Sequence, residues 1–177
     1  MTDENLPLRI LMADDENSIL DLYESILAID GREIGNPDGR ERRLAAFYDG
    51  QLPLPDLRCF RTTRCRQAEE AVQAVATAVA DGEPYAMAFL DIRMPPGPDG
   101  IWAAEEIRKL DSLVNIVIVT AYPEMPPRDV ARRVPPLGRF LLLQKPLLPM
   151  EIMQVAAVMA DKWRAENKLS TPVVAAS

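Results

Sequence analysis

Four short apolar runs punctuate the chain: RILMA at 9–13, AMAFL at 86–90, IVIV at 116–119 and FLLL at 140–143. Each has the length of a strand, and an uninterrupted apolar run is what a parallel strand covered on both faces requires. A more polar segment, LRCFRTT at 57–63, predicts a fifth strand, and its alternation suits a sheet edge rather than a centre. Between these runs apolar residues recur every three or four positions. Ile19, Leu22, Tyr23 and Ile26 mark one helix; Ala68, Ala71, Val72, Val75 and Val79 a second; Ala103, Ile107 and Leu110 a third; Ile152, Val155, Ala156, Met159 and Trp163 the last. Strand and helix therefore alternate. Right-handed crossovers then place helices on both faces, so the pattern predicts an α/β fold with a doubly wound, five-stranded parallel sheet.

Two segments depart from that plan. Between the helix ending near Ile29 and the strand starting near Leu57 the gap is far longer than the roughly 2 to 6 residues such connections take. Residues 30–56 are read as an insertion with a short helix around Glu41 to Tyr48, and Arg40, Arg42 and Arg43 as its solvated face. After Trp163 the sequence becomes small and polar, which predicts one domain over 1–168 and a loose tail over 169–177. A short helix fits between Pro126-Pro127 and Pro135-Pro136, since proline cannot continue one; it carries Arg128, Arg132 and Arg133.

Composition narrows the chemistry. With 177 residues, 48% of them hydrophobic, the chain can bury a sizeable core. A net charge of -7 disfavours direct nucleic-acid binding. No stretch has the apolar length of a membrane span and MTDENLPLRI lacks the features of a signal peptide, so a cytoplasmic location is expected. Cys59 and Cys65 are too few for a disulfide framework and are read as reduced thiols. The chain has no histidine, which removes histidine-based acid–base catalysis, phosphohistidine formation and histidine-ligated metal.

What remains is carboxylate, hydroxyl and lysine chemistry, and the strand ends supply it. The first strand ends in Asp14 and Asp15, the third in Asp91, the fourth in Thr120 and the fifth in Lys145-Pro146. Carboxyl ends of neighbouring parallel strands are close in space, so these groups are expected to share one pocket. Clustered carboxylates repel one another unless a hard divalent cation neutralises them, and Mg²⁺ prefers oxygen ligands, waters and phosphate. Magnesium-assisted phosphoryl transfer fits that set.

LMADDE, FLDIRMPPGPDG, VIVTAY and LLLQKPL together resemble the signature segments of response-regulator receiver domains of two-component signalling, over residues 8 to about 165. The resemblance implies a flavodoxin-like, chemotaxis-type receiver fold with strand order 2-1-3-4-5. It implies that Asp91 is the phosphoacceptor, that Asp14, Asp15, Asp91 and the Arg93 backbone carbonyl hold Mg²⁺, and that Thr120 and Lys145 contact the phosphoryl group. It further implies a cis bond at Lys145-Pro146 and a partner, a sensor histidine kinase or histidine phosphotransfer protein, that brings the phosphohistidine. The chain itself is then a phosphoacceptor and not an enzyme. Three residues before the lysine, receivers usually carry an aromatic side chain; here that position is Leu142, with Phe140 two residues away on the same strand face.

Taken singly, each of these residues has a plainer role. Asp14, Asp15 or Asn17 can cap the following helix, Asp91 can form a turn, Thr120 can end a strand and Lys145-Pro146 can begin a loop. Gly97 and Gly100, among Pro95, Pro96 and Pro98, are read as shaping the turn after Asp91 rather than as a phosphate-binding fingerprint, and Trp102 and Trp163 as packing on helix faces. An alternative function is an unphosphorylated dimerisation or docking module of receiver fold, since the apolar FLLL strand at an edge invites self-association. A haloacid-dehalogenase-like phosphatase is disfavoured, because it needs a second aspartate two residues after the nucleophile and Arg93 stands there.

Overall fold

The computed structural model describes residues 7–27, 60–121 and 125–170. The first βα unit is β1 (Arg9–Ala13) and α1 (Asn17–Leu27), and the second is β2 (Arg61–Cys65) and α2 (Ala68–Ala80). β3 (Met87–Asp91) and α3 (Gly100–Leu110) follow, then β4 (Asn115–Thr120) and the short α4 (Pro127–Arg133). A 3₁₀ turn (Leu137–Arg139) leads into β5 (Phe140–Gln144), and α5 (Pro149–Ser170) closes the order. The five strands form one parallel sheet in the order β2-β1-β3-β4-β5, as the sequence predicts. The expected short helix in the insertion, the arginines 40, 42 and 43, Cys59 and residues 171–177 lie outside the described residues, and the expected tail of 169–177 begins two residues too early, since α5 continues to Ser170. Cys65 is a buried free thiol.

The core has two halves because strand side chains alternate between faces. Leu11, Ala13, Ala88, Leu90, Ile116 and Ile118 pack toward α2, α3 and α4. Ile10, Met12, Met87, Phe89, Val117 and Val119 pack toward α1 and α5. The inward stripe of α2 is mostly alanine, with Ala68, Ala71, Val75 and Ala78 buried. These small residues let α2 lie close to Ala103 and Ala104 of α3 in the same cluster. That choice of face corrects two expected core positions: Val79 and Leu110 are each 41% exposed. Val79 stands seven residues from the half-buried Val72 and shares its flank of the helix, off the alanine stripe.

The expected edge strand is displaced from 57–63 to Arg61–Cys65, with Phe60 as an isolated bridge; residues 57–59 lie outside the described residues. Its register is set by β1, where Arg9 faces Arg61 and Ala13 faces Cys65. The edge is blunted by charge, since Arg61 pairs with Glu83 at 2.6 Å and Arg64 with Asp21 at 2.8 Å. The Phe60 N–H donates to the Leu27 carbonyl at 3.0 Å. The described residues on either side of the insertion, Leu27 and Phe60, thus meet directly, beside the β1–β2 pairing.

At the opposite end of the sheet from the carboxylates, Asn115 opens β4 with a wholly buried side chain. Its Nδ2 donates to the Ala86 carbonyl at 3.1 Å and the Met159 carbonyl at 3.0 Å, clipping the start of β3 to α5. The Ala86 carbonyl also accepts from the Asn115 main-chain N–H at 3.1 Å, so the side chain's loss removes two hydrogen bonds of about 0.5–1.5 kcal/mol each rather than stranding that carbonyl. Asn115→Ala is expected to lower unfolding free energy by about 1–3 kcal/mol, and Asn115→Asp by more at neutral pH, where a carboxylate would face two carbonyl oxygens. Denaturant unfolding of the three proteins checks this.

Candidate functional site

β1, β3, β4 and β5 end at the same rim of the sheet, and their last residues carry the polar groups. Asp14 follows β1 and is 1% exposed; Asp91 ends β3 at 6%; Thr120 ends β4 at 5%. Lys145 follows β5 after the Lys145 N–H has donated to the Thr120 carbonyl at 2.8 Å. Its ammonium lies 2.7 Å from Asp14 Oδ2 and 2.8 Å from Asp91 Oδ1, bridging two carboxylates that the sequence separates widely. The Lys145-Pro146 bond is cis.

Each carboxylate has a second anchor in its own loop. Asp14 Oδ1 accepts from the Glu16 N–H at 3.0 Å, and Asp91 Oδ2 accepts from the Arg93 N–H at 2.7 Å. Asp14 therefore shapes the turn into α1 with one oxygen and binds Lys145 with the other, so its plain and its chemical roles coexist. Burial pushes the Asp91 carboxyl above its ordinary range, and the Lys145 contact only partly offsets this. Burial works against the Lys145 charge, but its hydrogen bonds to Asp14 and Asp91 outweigh it and hold the ammonium more firmly protonated than usual. Asp15 is half-buried on the turn, with its main-chain carbonyl accepting from the Arg66 guanidinium at 3.1 Å.

Among the described residues no three acidic or cysteine side chains form a group spaced to hold a metal ion. The tight convergence is Asp14, Asp91 and Lys145. Their chemistry nonetheless suits Mg²⁺: two buried carboxylates carry one more negative charge than a single ammonium neutralises, and their oxygens are hard donors.

Three features of the site were hidden in the sequence. Tyr23, read as a core residue, is buried with its ring 5.1 Å from that of Phe89. Burial first, and then the nearby charges of Asp14 and Asp91, raise its phenol well above the ordinary range, so it stays neutral beside the carboxylates. Gly100 does more than shape a turn: a Cβ there would lie 1.9 Å from the Asp91 carbonyl oxygen, while the Gly100 N–H donates to the Ile92 carbonyl at 2.9 Å. Only glycine lets α3 start this close to the end of β3. Asp99 caps that start by accepting from the Trp102 N–H at 2.7 Å. Finally, an apolar recess of about 310 Å³ between Ile19, Leu22, Tyr23, Pro146, Leu147 and Ile152 borders Lys145.

A group whose carboxyl is raised in the fold contributes stability at low pH and loses it as pH climbs from the unfolded value of 3.8 through the folded one. Asp91→Asn removes the buried charge. In magnesium-free buffer the variant is expected to melt above the unsubstituted chain at pH 7, with the difference vanishing as pH falls below the ordinary carboxylate range. Thermal unfolding across that pH series checks it.

No family model matches the chain, and no curated protein matches it. Solved structures do. A CheY-like response regulator receiver domain protein from Methanospirillum hungatei is 20% identical, covering 91% of this chain and 99% of its own, with a TM-score of 0.63. The receiver domain of AraT, a response regulator from Geobacillus stearothermophilus, is 21% identical over 92% of this chain and 99% of its own, with a TM-score of 0.60. The response regulator TrrA from Thermotoga maritima, in complex with Mg²⁺-BeF, is 21% identical over 86% of this chain and 98% of its own, with a TM-score of 0.54. At these identities it is the fold that is shared, and the fold of this chain is that of the response-regulator receiver domains.

Proposed function

We propose that the chain is a phosphoacceptor receiver of a two-component phosphorelay. The observation that carries this reading is the ammonium of Lys145 held at 2.7 and 2.8 Å from two buried carboxylates at the strand ends of a receiver fold. In the transfer, an Asp91 carboxylate oxygen attacks the phosphorus of a partner's phosphohistidine. The P–N bond breaks, the imidazole departs with the electron pair, and Asp91 becomes an aspartyl phosphate. Lys145 faces the charge that spreads over the transferring oxygens, and Thr120 supplies a hydroxyl at the neighbouring strand end. Because the chain has no histidine, the donor histidine belongs to a partner, a sensor kinase or histidine phosphotransfer protein. The apolar recess beside Lys145 gives such a partner a surface to rest on.

Asp14, Asp15, Asp91 and the Arg93 backbone carbonyl would hold Mg²⁺, which would neutralise charge on the phosphoryl oxygens. The likeness to TrrA, solved with Mg²⁺-BeF, supports that assignment. On this reading the chain accepts and holds a group and turns over no independent substrate.

The signal leaves by the loop after Thr120 and by α4. β5 carries Leu142 opposite Ile118, half-buried against the core, and the larger Phe140 is buried two pairs earlier opposite Ile116. A leucine has no polar tip to exchange between solvent and core, so a side-chain switch at this position is shallow.

Incubation with acetyl phosphate and Mg²⁺ is expected to give an acid-stable, base-labile adduct that Asp91→Asn abolishes and Asp15→Asn slows. Undiminished labelling of the Asp91 variant would overturn the assignment. In the labelled protein, amide shifts are expected to change most over residues 121–134 and little at Leu142; changes centred on Leu142 and equal to those in residues 121–134 would defeat this reading, and Leu142→Tyr would then alter little. NMR with and without the phosphoryl group measures it.

A further inference from the structure

The segment that links β2 to α2 contains no residue of the acceptor pocket, yet it touches both loops that build it. Arg66 donates to the Asp15 carbonyl at 3.1 Å, which ties it to the β1–α1 turn. The next residue, Gln67, donates from Nε2 to the Pro95 carbonyl at 2.9 Å, which ties it to the loop after Asp91. Glu69 lies against the same loop, since a Cβ on Gly97 would fall 2.6 Å from its Oε2. The segment is itself braced, because Glu70 accepts from the Arg66 N–H at 2.6 Å. Arg66 is exposed, and among the described residues its guanidinium has no carboxylate within ion-pair distance, unlike Arg61 and Arg64 on the same edge. Its contact with a main-chain carbonyl is thus the contact the structure gives that group.

These contacts act on the two turns whose N–H groups orient the carboxylates: Glu16 to Asp14, and Arg93 to Asp91. Lys145 joins the two carboxylates from the strand side, while the exposed parts of the turns, around Glu16 and Arg93, lie at the surface, where loops open more readily than the strands they follow. We propose that residues 66–70 form a bracket that holds the two turns in mutual register, with Arg66 and Gln67 as positioning residues for phosphoryl transfer. The transfer part of the proposal rests on reading Asp91 as the acceptor; the bracket itself does not. A side chain that fixes a main-chain carbonyl preorganises a site without touching the reacting atoms, and small misplacements there slow a reaction strongly.

The test combines amide hydrogen exchange of the ligand-free protein with labelling by acetyl phosphate at saturating Mg²⁺. Losing one hydrogen bond of ordinary strength corresponds to about a fivefold change in a local opening equilibrium. Arg66→Ala is expected to speed exchange at Glu16 about fivefold, and Gln67→Ala at Arg93 by the same factor, with exchange in β3 and β4 unchanged. Both variants are expected to label more slowly, and Arg66→Lys, which keeps a donor on a long stem, to recover most of the rate. Should Arg66→Ala not fold, Arg66→Gln carries the same expectation. Unchanged exchange at both amides, or acceleration spread evenly over the whole protein, would overturn the bracket. If the unsubstituted chain takes no label while the two amides respond as stated, the bracket stands and the acceptor reading falls.

Discussion

The rim of the sheet depends on one ammonium. Asp14 and Asp91 are nearly solvent-free, and burying two carboxylates side by side costs several kcal/mol unless a positive charge meets them. Lys145 meets both, and the strand order makes that possible: β1 and β4 flank β3, and β5 lies beyond β4. The lysine stem reaches back across the end of β4 toward the acids. The arrangement holds the site in a state of high electrostatic tension, with Asp91 raised by burial and only partly relieved by Lys145. Such a carboxylate gains from added positive charge.

The sheet that presents this rim is built to be stiff at its centre and tolerant at its edges. β3 is buried along its whole length, and β4 likewise, so the strands bearing Asp91 and Thr120 sit in the best-packed part of the molecule. β2 at one edge carries exposed arginines paired with acids on α1 and after α2. Leu27 and Phe60, the described residues on either side of the insertion, meet beside that edge through a hydrogen bond, two strands away from β3 in the sheet. At the other edge β5 is only half-buried, and its partly exposed leucines leave that border of the sheet available to a neighbour.

Between rim and core, small residues set the spacing. Gly100 allows the start of α3 to meet the Asp91 carbonyl, and the alanines of α2 and α3 let those helices approach closely. The close approach brings the N-terminal turn of α2 over the loop after Asp91, where Gln67 and Glu69 reach it. Helix packing and site geometry are in this sense one constraint.

Elements whose signal is local can be read from the residues alone. RILMA matches β1 residue for residue, and the runs at 86 and 116 fall within a residue of β3 and β4, because a strand buried on both faces must be apolar throughout; the run at 140 falls within a residue of β5, although that edge strand is only half-buried. Asp14, Asp91, Thr120 and Lys145 were legible because each interrupts or ends such a run. The tertiary structure alone decided which of these groups meet. Only the strand register brings Lys145 onto Asp14 and Asp91, and it left Asp15 half-buried on the turn, bound through its main chain by Arg66. It also decided that α2 turns its alanines inward and leaves Val79 exposed, that β2 begins at Arg61, and that Asn115 joins β3 to α5. Periodicity records how a residue stands toward its own element, whereas these contacts depend on the distances between elements, and no local pattern encodes those.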